Sequence, residues 1–412
     1  MEALHVAAVK ANMEGIFNGV KTPNDGPVLS HLLYADDVLF VGDWSLSNFK
    51  NLARFLRCFH LASGLKVNFS KSLLYGVGVT NAEINNMALI LSCKPGSFPF
   101  TYLGLPVGAN MGLVKNWKPI IEKFENKLTL WKARMLSFGG RLTLIEAVLS
   151  NLPTYYFSLF SAPLAVIKQL ERLRRKFLWG GCLEKNKISW VPWFKVVASK
   201  VEGGLGIGSL ACTNKALIVK WCLRYKNENT SLWAKSISAF HCGTRRHASI
   251  PLNSSIAGVW KSIVNLGRVM HEPVVDVKAR MVPYVGVGDK TLFWLDTWVG
   301  NRPLRDEFPT LFTLESDKRC FVQQRYKRIN ESLEWFWGSS VPLSLPEHLD
   351  AWSNCSGLLS SALLGPGPDR WLWRTGSSRD TYTVSRLRSE LDHINIIPKQ
   401  NCYLGFTGFR RR

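Results

Sequence analysis

Acidic residues are scarce in this chain. Thirty Asp and Glu stand against 52 Lys and Arg in 412 residues, a formal charge of +22. Such a surplus points away from polycationic partners and toward a polyanion, with nucleic acid ahead of an anionic membrane. Long apolar runs are also missing. The longest, Leu152 to Ile167, is interrupted by Pro153 and Pro163 and falls short of the ~20 residues that span a bilayer. No membrane helix is expected. The opening MEALHVAAVK has an acid at position 2 and no apolar h-region, so no secretory signal is expected and the chain reads as intracellular, nuclear or cytoplasmic. Zinc-knuckle spacing is absent too. Nine cysteines, at 58, 93, 182, 212, 222, 242, 320, 355 and 402, form no CxxC pair; an odd, scattered set reads as reduced thiols. His241-Cys242 stands alone, and structural zinc takes four ligands. No zinc is expected.

What is present is enough to build cores, with 46% hydrophobic residues and a length suited to two to four domains. The positive charge is unevenly placed. Lys115 to Lys200 holds 16 Lys and Arg against 5 Asp and Glu, a net +11, half of the whole surplus. Aromatics are interleaved there: Trp117, Phe124, Trp131, Phe138, Tyr155, Tyr156, Phe177, Trp179, Trp190 and Trp193. A helical bundle with aromatics inside and a wet basic face accounts for the rings but not for the charge. The imbalance favours a surface that faces nucleic acid, and Arg172, Arg174, Arg175 and Lys176 are its densest cluster.

Periodicity predicts helix over 1–20, then turns through KTPNDGP. SHLLYADDVLFVG (30–42) is two apolar runs joined at Ala35-Asp36-Asp37, the pattern of a hairpin with acids at its bend. Phe49, Leu52, Ala53, Leu56 and Phe59 fall at helical spacing within Ser47–Ser63, after a Ser able to cap and before Gly64. Leu65–Val79 has strand-like composition. Residues 113–235 read as mainly helical, with apolar periodicity in Trp117–Leu136, Gly140–Leu149 and Leu164–Leu178. Beyond about 236 the pattern weakens, and GLLSSALLGPGP (357–368) reads as a linker. The fold class expected is α+β.

Two adjacent carboxylates between apolar strand residues are costly unless paired or set against a cation. Asp36 and Asp37 are hard oxygen donors suited to Mg²⁺, and two-metal phosphoryl transfer uses such acids on both the attacking and leaving oxygens. An exposed Asp-Asp turn with no role is the plain alternative. The frame SHLLYADDVLFVGDWS resembles the polymerase C motif of reverse transcriptases, SGLKVNFSKS (63–72) their D motif, and TYLGLPVG (101–108) their primer grip. WKARMLSFGGRLTLIEAVLSNLPTYYFSLFSAP (131–163) and RRKFLWGG (174–181) resemble the thumb of plant non-LTR (LINE-type) retroelement reverse transcriptases. VGDKTLFWLDTWVGNRPLRDEFPTL (287–311) and DRWLWR (369–374) resemble the connector before the zinc-binding module of those proteins. The resemblance covers about 1–390.

It implies a partial right-hand polymerase palm with the YADD hairpin at 1–80, a primer-grip segment at 81–112 and a helical basic thumb at 113–235. A connector at 236–368 and the start of the zinc-module region at 369–412 would follow. By position, Asp36 and Asp37 would be the metal-binding C-motif acids, with Asp36 the more direct ligand. Tyr34 would lie beside the primer terminus. Lys71, or else Lys66, would stand at the D-motif lysine that protonates pyrophosphate, though a surface lysine without a role fits as well. Tyr102, Leu103 and Gly104 would form the primer-grip turn. The partners implied are an RNA template, a DNA primer or hybrid, dNTP and two Mg²⁺. The family's A-motif aspartate and B motif would fall before Met1, so the chain is expected to be a truncated copy, inactive in isolation. A non-catalytic nucleic-acid-binding remnant and a functionless translated relic are the rival readings.

Overall fold

Apolar residues four and three apart bring one face of the first helix, α1 (Glu2–Met13), inward, with Leu4, Ala8 and Ala11 buried. The helix ends earlier than the 1–20 expected. The computed structural model describes residues 1–131, 133–181, 187–241, 249–268, 270–271, 274–329, 332–376 and 378–404. Cys182, Cys242 and the terminal FRRR lie outside them. The chain divides into two compact units, Met1–Asn110 with Lys235–Phe240, and Met111–Ala234 with His241–Arg412.

In the first unit β1 (Val20–Lys21) pairs antiparallel with β2 (Val28–Leu29). The hairpin predicted over 30–42 follows as β3 (His31–Tyr34) and β4 (Asp37–Phe40). Residues opposite one another in an antiparallel pair share a face. The register sets Leu33 opposite Val38 and His31 opposite Phe40, and Leu33, Val38 and Phe40 pack on a core of Leu4, Ala11, Phe17, Leu52 and Leu56. Tyr34 and Asp37 therefore lie on the other, outward face. The helix α2 (Leu46–Ser63) is capped by Ser45, whose Oγ accepts from the Asn48 amide at 3.2 Å, and Gly64 at φ 74° closes it. Asn48 is buried and ties this start to two loops: its side chain donates to the carbonyls of Asn18 and Asp43 and accepts from the Asn18 amide.

Of the strand-like Leu65–Val79, only Leu73–Leu74 forms a strand, β5. It runs parallel to β6 (Lys94–Pro95), and α3 (Asn81–Leu91) lies between them in sequence. The Thr80–Glu83 capping box starts that helix. A second tight hairpin joins β7 (Phe100–Tyr102) to β8 (Leu105–Val107). The strands of this unit form separate two-stranded pairs rather than one continuous sheet.

The second unit opens with α4 (Lys118–Leu130), α5 (Phe138–Leu144), α6 (Thr154–Phe157), α7 (Leu164–Leu178), α8 (Trp193–Val197) and α9 (Leu210–Asn227). Pro163 precedes α7 and the helix runs to Leu178, as the spacing predicted. Trp117, Phe124, Phe157, Ile145, Leu149, Leu170 and Leu178 are all nearly inaccessible. Of the interleaved aromatics, Trp117, Phe124, Tyr156 and Phe177 are buried in the core, while Phe138, Tyr155 and Trp190 are exposed.

The region beyond 236 is more ordered than its periodicity implied. Leu292, Phe293, Trp294 and Leu295 are buried in a cluster with Cys355 and Leu359, and Pro346–Leu359 is helix. The linker expected at 357–368 therefore begins three residues late. A three-stranded antiparallel sheet (Met281–Tyr284, Arg370–Thr375, Ser378–Asp380) stands in the same region, and buried polar anchors tie the region together. Asp369 is buried and accepts from the amides of Gly286, Gly288, Lys290 and Thr291 at 2.8–3.1 Å and from the Thr291 hydroxyl at 2.6 Å. Lys226 is buried against Asp296 at 2.7 Å, and its ammonium lies 4.6 Å from the Trp371 ring centroid. Desolvation pulls the Lys226 ammonium below its ordinary value, opposed by the Asp296 carboxylate.

Asp392, on the helix Val384–Leu404, is buried beside the start of α9, where its Oδ1 accepts from the Ser209 amide at 3.2 Å. Burial raises its carboxyl to about 6. A carboxyl raised in the fold binds more protons there than in the unfolded chain, so its charge costs stability as pH climbs through the range from about 4 to 6. A shift of this size corresponds to about 3 kcal/mol. Asp392→Asn should remove that cost: the variant gains stability relative to the wild type at pH 7.5 and not at pH 4. Urea unfolding at the two pH values measures it.

Candidate functional site

Asp36 and Asp37 sit where the sequence placed them, at a two-residue reversal. Tyr34 pairs with Asp37, and Ala35 and Asp36 form the loop. Ala35 adopts φ 51°, the left-handed region that costs a side-chain-bearing residue roughly 1–2 kcal/mol. Strain at such a turn is one way a fold fixes how a side chain is presented. Tyr34, Asp36 and Asp37 are all exposed. Because Leu33 and Val38 anchor the opposite face, the core holds the hairpin while the acids remain open to solvent.

The β7–β8 hairpin has the same two-residue form. Leu103 at φ 49° and Gly104 at φ 77° make its loop, positive at both positions as a type I′ turn requires. Glycine meets that demand freely and leucine does not. Burial first, and then the Asp37 carboxylate, hold the Tyr102 phenol above its ordinary value. The charge of Asp37 thus reaches Tyr102 on the second hairpin. Lys71 is exposed in a turn that Asn68 organises, its side-chain oxygen accepting from the Lys71 amide at 3.2 Å. Lys71 forms no salt bridge with Asp36 or Asp37, and Lys66 is likewise exposed and unbridged to them among the described residues.

Two neighbouring carboxylates suit one Mg²⁺, which is commonly held by one or two carboxylates with waters and substrate phosphates. They fall short of a two-ion site. Among the described residues, no group of three or more His, Cys, Asp and Glu is placed to hold a metal.

The basic cluster on α7 is split by the helix. Arg172 and Arg175 are exposed and Lys176 is half-buried. Arg174 is fully buried and is removed from the candidate surface. Its guanidinium pairs with Glu171 at 2.9 Å and donates to the Ser150 hydroxyl and the carbonyls of Ile207 and Gly208. Glu171 accepts in turn from the Trp193 indole at 3.0 Å and the Leu210 amide at 2.7 Å. Arg174 is a structural hub joining α7 to the start of α9. Lys168 takes its place on the wet face: Lys168, Arg172 and Arg175 are exposed at spacings of four and three, which is one stripe of a helix. The spacing of Lys168, Arg172 and Arg175 is legible in the sequence, whereas adjacency of charges carries no information about which face they share. Lys115, Lys118, Lys123 and Lys127 are exposed on or next to α4, so the region's surplus does reach solvent. No described helix is long and apolar enough to cross a membrane.

No protein-family model matches the chain. It is 37% identical over 188 residues, 45% of its own length, to an Arabidopsis thaliana protein named "Putative ribonuclease H protein". The chain spans 29% of that relative's length. It is also 31% identical over 151 residues, 36% of its length, to an uncharacterized mitochondrial protein of Arabidopsis thaliana, 92% of which it covers. Identity at that level across nearly the whole relative is a family relationship: the chain belongs to the family of this uncharacterized Arabidopsis mitochondrial protein.

Proposed function

We propose that the chain is palm, thumb and connector of a plant non-LTR retroelement reverse transcriptase, and that its retained property is binding of a template–primer. The observation that carries this reading is the YADD reversal, which presents Asp36 and Asp37 to solvent at the tip of a core-anchored hairpin. The motif resemblance and the plant relatives support it. Asp36 and Asp37 would hold Mg²⁺, which when bound stabilises charge on transferring phosphoryl oxygens. Tyr34 and the Leu103–Gly104 turn would position the primer strand. Arg172, Arg175 and Lys168 would meet phosphates along α7.

As this 412-residue chain the protein is expected not to extend a primer, because one hairpin's carboxylates are too few ligands and too little charge for two ions. Primer extension on an RNA template with dNTPs and Mg²⁺ or Mn²⁺ tests this, with the hybrid's RNA strand followed in the same tubes. No extension with bound template–primer is the expected result. Extension abolished by Asp36→Ala would overturn the incompleteness and keep the polymerase. Cleavage of the RNA strand that survives Asp36→Ala and Asp37→Ala would replace the reading with ribonuclease H, the activity in one relative's name.

A further inference from the structure

We propose that His5 and His31 form a two-imidazole site for a divalent transition-metal ion of the nickel or copper class. His5 is exposed on α1 and His31 opens β3, the strand that runs into Tyr34. Their rings are tilted at 56° to each other, with centroids at 5.0 Å and His5 Nδ1 hydrogen-bonded to His31 Nε2 at 2.8 Å. Convergent ring nitrogens from two elements 26 residues apart in sequence are the donor arrangement such ions take.

The separation decides which geometry fits. With metal–nitrogen bonds of roughly 2.0–2.1 Å, nitrogens 2.8 Å apart subtend an angle of about 86° at the ion. That is close to the right angle between adjacent ligands of a tetragonal or square-planar ion. A tetrahedral ion such as Zn²⁺ needs about 109° and hence nitrogens about 0.5 Å further apart. In the hydrogen-bonded pair each nitrogen is aimed at the other, so binding the ion turns the lone pairs about 47° off that line; His5, exposed on α1, makes most of that movement. A supporting contact is already in place: buried Ser30 has its Oγ 2.9 Å from His31 Nδ1. A proton on that Nδ1 leaves Nε2 as the lone-pair donor, the usual way a second hydrogen bond orients a ligating histidine. No third His, Cys, Asp or Glu completes the set among the described residues, so water occupies the remaining positions and the ion exchanges with solvent. An ion held there ties α1 to β3, and through β3 to the hairpin that carries Asp36 and Asp37.

Ni²⁺ is the probe, since it avoids copper redox chemistry with the exposed Cys58. Calorimetric titration of the full, untagged chain with NiCl2 at pH 7.5 should show one site that His5→Gln and His31→Gln each abolish. His60→Gln, a histidine of the same unit, should leave it unchanged. Ser30→Ala should weaken it about tenfold, with circular dichroism confirming that every variant is folded. Ni²⁺ uptake by the wild type that survives His5→Gln or His31→Gln in a folded protein would overturn the site. Absence of uptake would reduce the two rings to a hydrogen-bonded pair.

Discussion

Arg174→Met is expected to destabilise the helical unit by about 3–5 kcal/mol, the cost of removing one partner of a buried ion pair. The arginine is 0% exposed, and its loss leaves the Glu171 carboxylate without its buried counter-charge and removes the donors to the Ser150 hydroxyl and the carbonyls of Ile207 and Gly208 together. Methionine recovers part of the packed volume but none of the hydrogen bonds. Glu171 keeps the Trp193 indole and the Leu210 amide, which limits the loss without cancelling it. Arg172→Gln and Arg175→Gln on the exposed side of the same helix should move stability by no more than about 0.5 kcal/mol. Urea denaturation followed by circular dichroism separates the two outcomes. Equal, small effects at all three positions would contradict the hub.

The second large effect is on binding. Phosphate contacts release condensed counterions, so affinity for single-stranded nucleic acid falls by roughly 0.7 log units per contact for each log unit of salt. With about four to six contacts, the wild-type chain should lose ~50–300-fold in affinity between 50 and 200 mM salt. Little dependence on base sequence is expected, because contacts to phosphates carry no base information and several rings of the basic region are committed to the core. Trp117, Phe124 and Phe157 are wholly buried, whereas Trp190 at 80% exposed and Tyr155 at 49% could stack on bases. Electrostatics therefore dominates over stacking.

Local signals were the legible ones. The limits of α7 followed from Pro163 and apolar spacing, and the YADD hairpin followed from two apolar runs meeting at acids. The exposure of Asp36 and Asp37 follows from strand alternation once Leu33 and Val38 face the core. Arg174 was misread because a run of charges says nothing about helix azimuth. Val166, Leu170, Leu173 and Phe177 define the buried face, and Arg174 lies on it with acceptors drawn from as far as Gly208. The TLFWLDTW segment was opaque for a related reason. Its order comes from burial against Cys355 and Leu359 and from backbone-to-side-chain bonds that reach across the chain, as from the Thr291 amide to Asp369, 78 residues away, and such contacts leave no periodicity. The influence of the Asp37 charge on Tyr102 likewise links hairpins about sixty-five residues apart, and no local pattern in either one encodes it.

That the basic face of α7 holds a nucleic-acid backbone is tested most directly by one titration. Fluorescence anisotropy of a labelled single-stranded RNA and of a DNA–RNA hybrid is followed from 50 to 200 mM salt. The wild-type chain is compared with Lys168→Gln, Arg172→Gln and Arg175→Gln combined, which circular dichroism should show to be folded. Three lost contacts should weaken binding at low salt and lower the salt slope by roughly 2. Wild-type binding without salt dependence, or an unchanged slope in the folded triple variant, would contradict the nucleic-acid role of this face.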